Sequence, residues 1–291
     1  MASAPVPPEH SAAGLLGLQE AADQLGVHYM TAYRYVRTGR LPATQIGAQW
    51  WVDPGDLPAA AAGSPVAGRP RTETRRASRT TAARRLEDRL VAGDEPGAWT
   101  IVEGRLVSGS DQEEILLDGL GEAMRSVGLG WRAGHYTVDD EHRATGVATR
   151  VVARLGPRFS ARGPKRGSVI LGTPPHELHG LPTAMAANVL RRRGFDVVDL
   201  GADVPEGAFA SAVTKVQRPL AVGVAVTAGN HDRAVQAIVR AVHDVSPGLP
   251  VLVGGAAIAG EEHAARLGAG WSGVDARQLG EMIDELDHAA R

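Results

Sequence analysis

The chain has no cysteine among its 291 residues. Disulfides, thiolate metal sites and cysteine nucleophiles are therefore excluded at the outset. No run approaches the roughly 18–20 unbroken apolar residues that a membrane-spanning helix needs, so no membrane passage is expected. The opening MASAPVPPEH lacks a charged segment followed by an apolar one. No secretory signal is expected either, and cytoplasmic is the default location. What is present is ordinary for a globular protein: 43% hydrophobic and 22% charged residues, over a length that suits two or three domains.

The net charge of −2 hides an asymmetry. Residues 1–80 carry eight Arg against six acids, and residues 81–291 carry 23 basic against 27 acidic side chains. Between Arg69 and Arg85, seven Arg stand against Glu73 alone. Such a basic arm points to a polyanion partner, and equally fits a solvated, Arg-rich linker.

In LQEAADQL, residues 18–25, Leu18, Ala21, Ala22 and Leu25 share one helical face. Gly26 permits the left-handed turn that a second helix requires. That helix spans residues 28–38, with Met30, Tyr33 and Val36 inward and Thr31, Arg34, Tyr35 and Arg37 outward. Gly39 suits its C-cap, and Arg40 follows. The next stretch, GRLPATQIGAQWWVDPGDL, reads as short strands around Ile46-Gly47 and through Trp50–Val52, then a turn at Asp53-Pro54-Gly55. A small helical domain with a polar face would show the same pattern. Helix, turn, helix and β-wing over residues 15–57 resemble the excisionase-like branch of the winged MerR-type DNA-binding domains. The resemblance implies operator DNA as partner, with Thr31, Arg34, Tyr35, Arg37 and Arg40 at base edges and phosphates. One such unit buries little surface, so a homo-oligomer, dimer or tetramer, is expected on repeated half-sites.

Residues 58–80 mix Pro, Gly, Ala, Ser and Arg without apolar periodicity and read as a flexible linker. From Ala82 to Leu155 the pattern is helical. Leu86, Leu90 and Val91 mark a first short helix, and Trp99, Ile101 and Val102 a second. Asp111 suits the N-cap of a third, whose buried face holds Ile115, Leu116, Leu120 and Met124. Gly128–Gly134 is expected to interrupt it around Trp131, and Thr137 or Asp139 starts a fourth helix. Four helices with short connections suggest a bundle over residues 81–160. Trp131, Glu141 and His142 can be read plainly as a core aromatic and two exposed residues of a first helical turn. The order W-x(9)-E-H followed by A-T also resembles the helical cap above the cofactor in methionine-synthase-like proteins and in the adenosylcobalamin-dependent light-responsive repressors. By that resemblance Trp131, Glu141 and His142 shape a pocket for the upper ligand of cobalt, methyl or adenosyl.

From Gly167 strands and helices alternate. Apolar runs at 168–172, 195–201, 219–227 and 250–255, and a short one at 270–273, suit buried parallel strands. Helices are expected at 181–193, 206–216, 230–244, 260–267 and 275–289. The expected fold class is α/β: an N-terminal winged helix-turn-helix, a four-helix bundle cap, and a Rossmann-like doubly wound parallel sheet over residues 165–291. Its ligand would lie outside the carboxyl ends of the strands.

At the first strand end stands PPHELHG, in which Glu177 precedes His179 by two residues and His179 precedes Gly194 by fifteen. An imidazole on a loop supplies a metal with an axial nitrogen, and a carboxylate on its other ring nitrogen fixes the tautomer. The stretch resembles the Asp-x-His-x-x-Gly signature of cobalamin-binding Rossmann-like domains. Glutamate for aspartate resembles the repressor branch, and Pro182 stands where the signature has glycine, while Gly180 directly follows the histidine. The resemblance makes His179 the lower metal ligand and Glu177 its partner; His176 is a rival whose spacing to Gly194 is eighteen. DLGADVPEGAF, residues 199–209, resembles the D-L-G-x-D-x-P segment of that family. Ala225 takes the place of a serine that meets the dimethylbenzimidazole tail, with Thr227 as substitute donor. Gly254 and Gly255 match the paired glycines that lie flat against the tail, and LGAGWSGVDA, with Gly270, resembles the closing segment.

The cofactor implied is cobalamin, adenosylcobalamin ahead of methylcobalamin. Three functions follow: a cobalamin-sensing transcriptional regulator, acting as a repressor through its oligomeric state; a corrinoid methyl carrier for a methyltransferase; or a regulator that keeps the fold but senses another ligand. The N-terminal unit favours regulation, and with no large catalytic barrel the chain is not expected to be an enzyme. In light-responsive relatives a histidine next to the Trp ligates cobalt after photolysis. Here that neighbour is Arg132, which stays protonated and cannot ligate, leaving His135 or His142 as substitutes.

Overall fold

The computed structural model describes residues 14–27, 29–37, 41–46, 49–61, 73–229, 231–273 and 275–290. They fall into two compact units, Met1–Arg71 and Thr72–Arg291.

The first unit opens with strand β1 (Leu16–Gly17), helix α1 (Leu18–Gln24) and helix α2 (Tyr29–Arg37). Strands β2 (Thr44–Ile46) and β3 (Gln49–Val52) follow, then helix α3 (Leu57–Ala61). The strands form an antiparallel sheet in the order β1-β3-β2. Gly26 turns the chain between α1 and α2 at φ +65. Leu18, Ala21, Ala22, Ala32, Leu41, Val52 and Leu57 are the core. On α2 it is Ala32 that is fully buried, while Tyr33, Tyr35 and Val36 pack around it half-buried. A methyl-sized side chain lets two short helices approach closely, which bulkier residues at the same place would prevent. The two-residue β1 is too short to leave a periodic signal.

The second unit begins with four rods. They are α4 (Glu73–Val91), α5 (Glu95–Val107), a composite third rod, and α8 (Val138–Leu155). The third rod joins α6 (Gln112–Glu114), a π-helical segment (Ile115–Gly121) and α7 (Glu122–Arg132). Asp111 caps it, accepting from the N–H of Glu113 at 2.8 Å. Thr137 caps α8 in a reciprocal pair with Asp140. Two expectations are corrected here. Helix α4 already begins at Glu73, so the linker does not extend to residue 80. The third rod runs through Gly128 and Gly130 to Arg132, and the break comes only at Gly134, φ +72. Each glycine costs the helix about 1 kcal/mol, which packing overrides. A Cβ on Gly130 would come within 2.5 Å of the Tyr136 ring, so the glycine makes room for that contact.

The α/β half follows as β4 (Ser168–Gly172), α9 (Leu181–Arg192), β5 (Asp196–Asp199), α10 (Glu206–Lys215) and β6 (Pro219–Ala225). It continues with α11 (Asp232–Val245), β7 (Val251–Gly254), α12 (Glu261–Arg266), β8 (Gly270–Trp271) and α13 (Ala276–Ala289). All five strands are parallel, in the order β5-β4-β6-β7-β8. Along β4, Val169 and Leu171 face a core shared with α9 and α13, and Ile170 faces one shared with α10 to α12. Because β4 leads left and β6 leads right, the loops after these two strands diverge at the switch point where ligands bind in such sheets.

The bundle rests on α9, whose Met185 and Val189 belong to the bundle core. Two paired forks close the seam: Arg192 on Asp111 at 2.8 and 2.5 Å, and Arg277 on Asp118 at 3.0 Å twice. The Arg192 guanidinium holds the Asp111 carboxyl at about 2, against the opposing effect of burial. Asp111 meets the end of α9 while Gly121 packs against Met185, nearer its start. The third rod therefore runs antiparallel to α9 and carries Trp131 toward the side on which α9 begins.

Beneath the sheet, Asp287 of α13 is fully buried between Arg166, at 3.0 Å, and Arg218, at 2.9 Å. Asp284 pairs with Arg166 at 2.5 Å and with Arg193 at 2.7 Å. These pairs lock the last helix to the segments entering β4 and β6. Among the described residues no helix is long and apolar enough to cross a membrane. Asp287→Ala is expected to destabilise the unit by about 3 kcal/mol, the lower end for breaking a buried pair because both arginines reach solvent. The midpoint and slope of denaturant unfolding measure it.

Candidate functional site

The loop between β4 and α9 is built by a reversal at His176, whose φ is +66. The left-handed residue sends Glu177 inward, where it is 1% exposed, and leaves Leu178 74% exposed. His179 stands at the rim, with half of its side chain in solvent. The loop is braced from the β5–α10 side. Buried Thr173 donates through Oγ1 to the Glu177 carbonyl at 2.6 Å, and accepts from the Asp203 N–H at 3.0 Å. The Asp203 carboxylate accepts from the His176 N–H at 2.7 Å. Gly180 caps α9, and a Cβ there would stand 3.3 Å from that of Ala202.

The Glu177 carboxylate spans the switch point. Oε2 accepts from the N–H groups of Thr227 and Ala228, both at 2.8 Å. Oε1 accepts from the His179 N–H at 3.1 Å and pairs closely with His179 Nδ1. Burial pushes this carboxyl up. The N–H of Ala228, the His179 ring and the amides of His179 and Thr227 together pull harder the other way, so it is held below the ordinary carboxylate range. A carboxylate can only accept, so Nδ1 carries a ring proton, and in the neutral imidazole the lone pair is on Nε2. Imidazole ligands to metals use this arrangement. Among the described residues no group of three or more His, Asp or Glu side chains could hold a bare ion. A single oriented nitrogen could supply one ligand to a metal whose other ligands come from elsewhere. His176 is exposed and points no ring nitrogen at a carboxylate, so the geometry sides with His179.

On the bundle, Trp131 lies in the last turn of α7 and Glu141 and His142 in the first turns of α8, with a short turn between the two helices. Glu141 accepts from Thr145 Oγ1 at 2.8 Å and lies 3.0 Å from His142 Nδ1. Trp131 is 46% exposed and is not a core aromatic; Val138, on the same turn, is 56% exposed. Trp131 and Val138 on the bundle and Leu178 on the His179 loop are three of the six large hydrophobic residues left exposed among the described ones. Arg132 and His135 are exposed on the same turn.

The remaining candidates separate. Ala225 ends β6 opposite Gly254 of β7, and the main-chain N–H of Thr227 donates to Glu177. Gly254 and Gly255 are required by protein contacts: a Cβ would come within 2.2 Å of Ser272 Oγ at the first and 2.4 Å of the Val226 carbonyl at the second. Gly255 also has φ +105. Gly270 opens the edge strand opposite Leu252, before the strand ends, so it packs the sheet and does not join the loops. Gly273, at φ +85, is the glycine that turns the chain there. In the first unit Thr31 and Tyr35 are half-buried rather than projecting. The side chains of Arg34 and Arg37, and the whole of Arg40, lie outside the described residues. Sequence reasoning missed Thr173, Asp203 and the two amides of the β6 loop. Asp203 stands in the quoted DLGADVP stretch, but main-chain donors leave no mark in a sequence.

Residues 167–284 match a family model described as B12 binding domain, and residues 82–155 match a second model of the same description. Residues 15–63 match a helix-turn-helix domain model. Trimethylamine corrinoid protein 1 of Methanosarcina acetivorans is 26% identical over 144 residues, 48% of this chain and 67% of that protein. Trimethylamine corrinoid protein 2 of the same organism is 30% identical over 123 residues, 41% of this chain and 57% of that protein. The chain thus spans between about half and two thirds of these relatives' lengths. The structure of the Methanosarcina barkeri monomethylamine corrinoid protein shares the fold, with a TM-score of 0.60 at 17% identity over 69% of this chain and 96% of that one. The matches support corrinoid binding together with a helix-turn-helix unit. These relatives are named as corrinoid proteins.

Because its folded-state value is depressed, Glu177 contributes stability at neutral pH that is lost as pH falls below the ordinary glutamate value of about 4.3. Glu177→Gln would turn an amide group toward N–H donors and is expected to cost about 1–3 kcal/mol at pH 7. Unfolding of both proteins from pH 7 to pH 3 should show that difference shrinking as the wild-type carboxylate protonates.

Proposed function

We propose that this chain is a corrinoid-binding transcriptional regulator in which His179 would ligate the cobalt. The single observation that carries the binding half is the buried Glu177 carboxylate, which fixes the proton of His179 on Nδ1 and leaves Nε2 free at the rim of the switch-point crevice. When bound, a cobalamin would supply cobalt and a cobalt–carbon bond that light can break. His179 would hold the cobalt. Trp131, Val138 and Leu178 would offer apolar contacts to the cofactor, and Glu141 and His142 polar ones. The form of the cofactor, adenosylcobalamin ahead of methylcobalamin, follows from the resemblance in the cap.

The regulatory half is supported by the helix-turn-helix match and by the three-stranded antiparallel sheet beside α1 and α2. In this reading the loaded protein is a homo-oligomer that represses by binding operator DNA, and a change in the bound cofactor would dissociate it. The chain itself performs no turnover. A second reading, a corrinoid methyl carrier serving a methyltransferase, is favoured by the names of the relatives. A DNA-binding unit adds nothing to carrier function, and for that reason it ranks second.

Absorption spectra of the full chain with adenosylcobalamin test the shared premise: a base-off, His-on spectrum is expected, and is expected to vanish in His179→Ala. Sizing and binding to genomic DNA fragments from around its own gene, before and after green light, separate the two readings. Light-dependent loss of mass and DNA binding supports the regulator. No DNA binding in any state, with methyl transfer from methylcobalamin to an added thiol acceptor, supports the carrier.

A further inference from the structure

Three non-glycine residues have positive φ among the described ones: His176 at +66, Asp203 at +54 and Arg218 at +47. Two of the three touch each other beside the His179 loop. Left-handed backbone costs an ordinary L residue about 1–2 kcal/mol, so two adjoining instances persist only where the surroundings over-determine them. They do so here. Asp203 accepts from the His176 N–H at 2.7 Å through its carboxylate. Its own N–H is shared between Thr173 Oγ1 and the Glu177 carbonyl, each at 3.0 Å. Thr173 closes the ring by donating to that same carbonyl. The carbonyl of Glu177 is thus clamped from two sides while its carboxylate is clamped from the β6 loop.

We infer that Asp203 is a positioning residue for the cobalt ligand, acting through the main chain. Its carboxylate fixes the reversal at His176. The reversal directs Glu177 inward, and Glu177 orients His179. The inference rests on the proposed role of His179. It assigns to the loop after β5, which touches neither Glu177 Oε nor the imidazole, control over whether His179 reaches cobalt. The crevice and the bundle surfaces are left unchanged by it, so total cofactor uptake and axial ligation become separable quantities.

The separation gives the test. Full-length protein is loaded with cob(II)alamin, and bound cobalt is counted by atomic absorption. The axial ligand is read by electron paramagnetic resonance with protein labelled with [15N]histidine: an axial nitrogen from His179 splits each cobalt line into a doublet, and one from the cofactor's own base into a triplet. Asp203→Gly is the chosen variant, because glycine takes φ +54 without strain and only the acceptor is removed. Bound cobalt is expected to stay near the wild-type level, while the ratio of His-ligated to unligated cobalt falls about fivefold, the effect of one lost hydrogen bond. Asp203→Asn keeps an acceptor oxygen and tolerates left-handed backbone, and is expected to restore the ratio. His176→Gly keeps the N–H and is expected to ligate as wild type. A wild-type ratio in Asp203→Gly, or failure of Asp203→Asn to restore it, overturns the inference. If wild type itself shows no doublet, the proposed role of His179 fails instead.

Discussion

The loops after β4 and β6 leave the sheet in opposite directions, and a crevice opens wherever a doubly wound sheet does this. In this protein the crevice is bridged at its floor by one buried carboxylate. Glu177 accepts from two amides of one loop and from the amide and ring of a residue on the other. Four donors surround an anion that has lost nearly all its water. That balance is favourable only while every donor stays in place, because an unpaired buried charge is far more costly than a paired one. The carboxylate therefore fixes the distance between the loops, the tautomer of His179 and the height at which Nε2 is displayed.

The other features of the site are consequences of keeping that arrangement intact. Glycines at 254 and 255 let the β7 loop press against Ser272 and Val226, holding the β6 amides in position. Thr173 and Asp203 clamp the chain on the opposite side. The bundle is tied to α9 through Met185, Val189 and the Arg192 fork, and to α13 through the Arg277 fork.

Much of this was legible in the residues. The alternation of apolar runs and amphipathic stretches from Gly167 onward locates every strand and helix of the α/β half to within a few residues. Capping residues at Asp111 and Thr137 locate two helix starts. Those signals are local: burial of one face sets a period, and a cap satisfies orphan amides. The errors arise where distant contacts overrule local preference. Gly128 and Gly130 look like a break, yet Tyr136 packs where the second glycine leaves space. The Arg-rich start of α4 has no apolar period, yet it continues a helix anchored at Leu86 and Leu90.

The sequence by itself determined the order of elements, the pairing of Glu177 with His179, and the position of both at a strand end. These depend on residue type and spacing, which folding does not alter. Only the tertiary structure decided which nitrogen of His179 is free, because that depends on amides fifty residues away in the chain, at Thr227 and Ala228. The tertiary structure alone also separated Gly270 from the site, exposed Trp131 on the cap, and brought Asp203 against His176. Each of these is a contact between segments that the sequence keeps apart, and main-chain groups, which every residue carries, supply most of them.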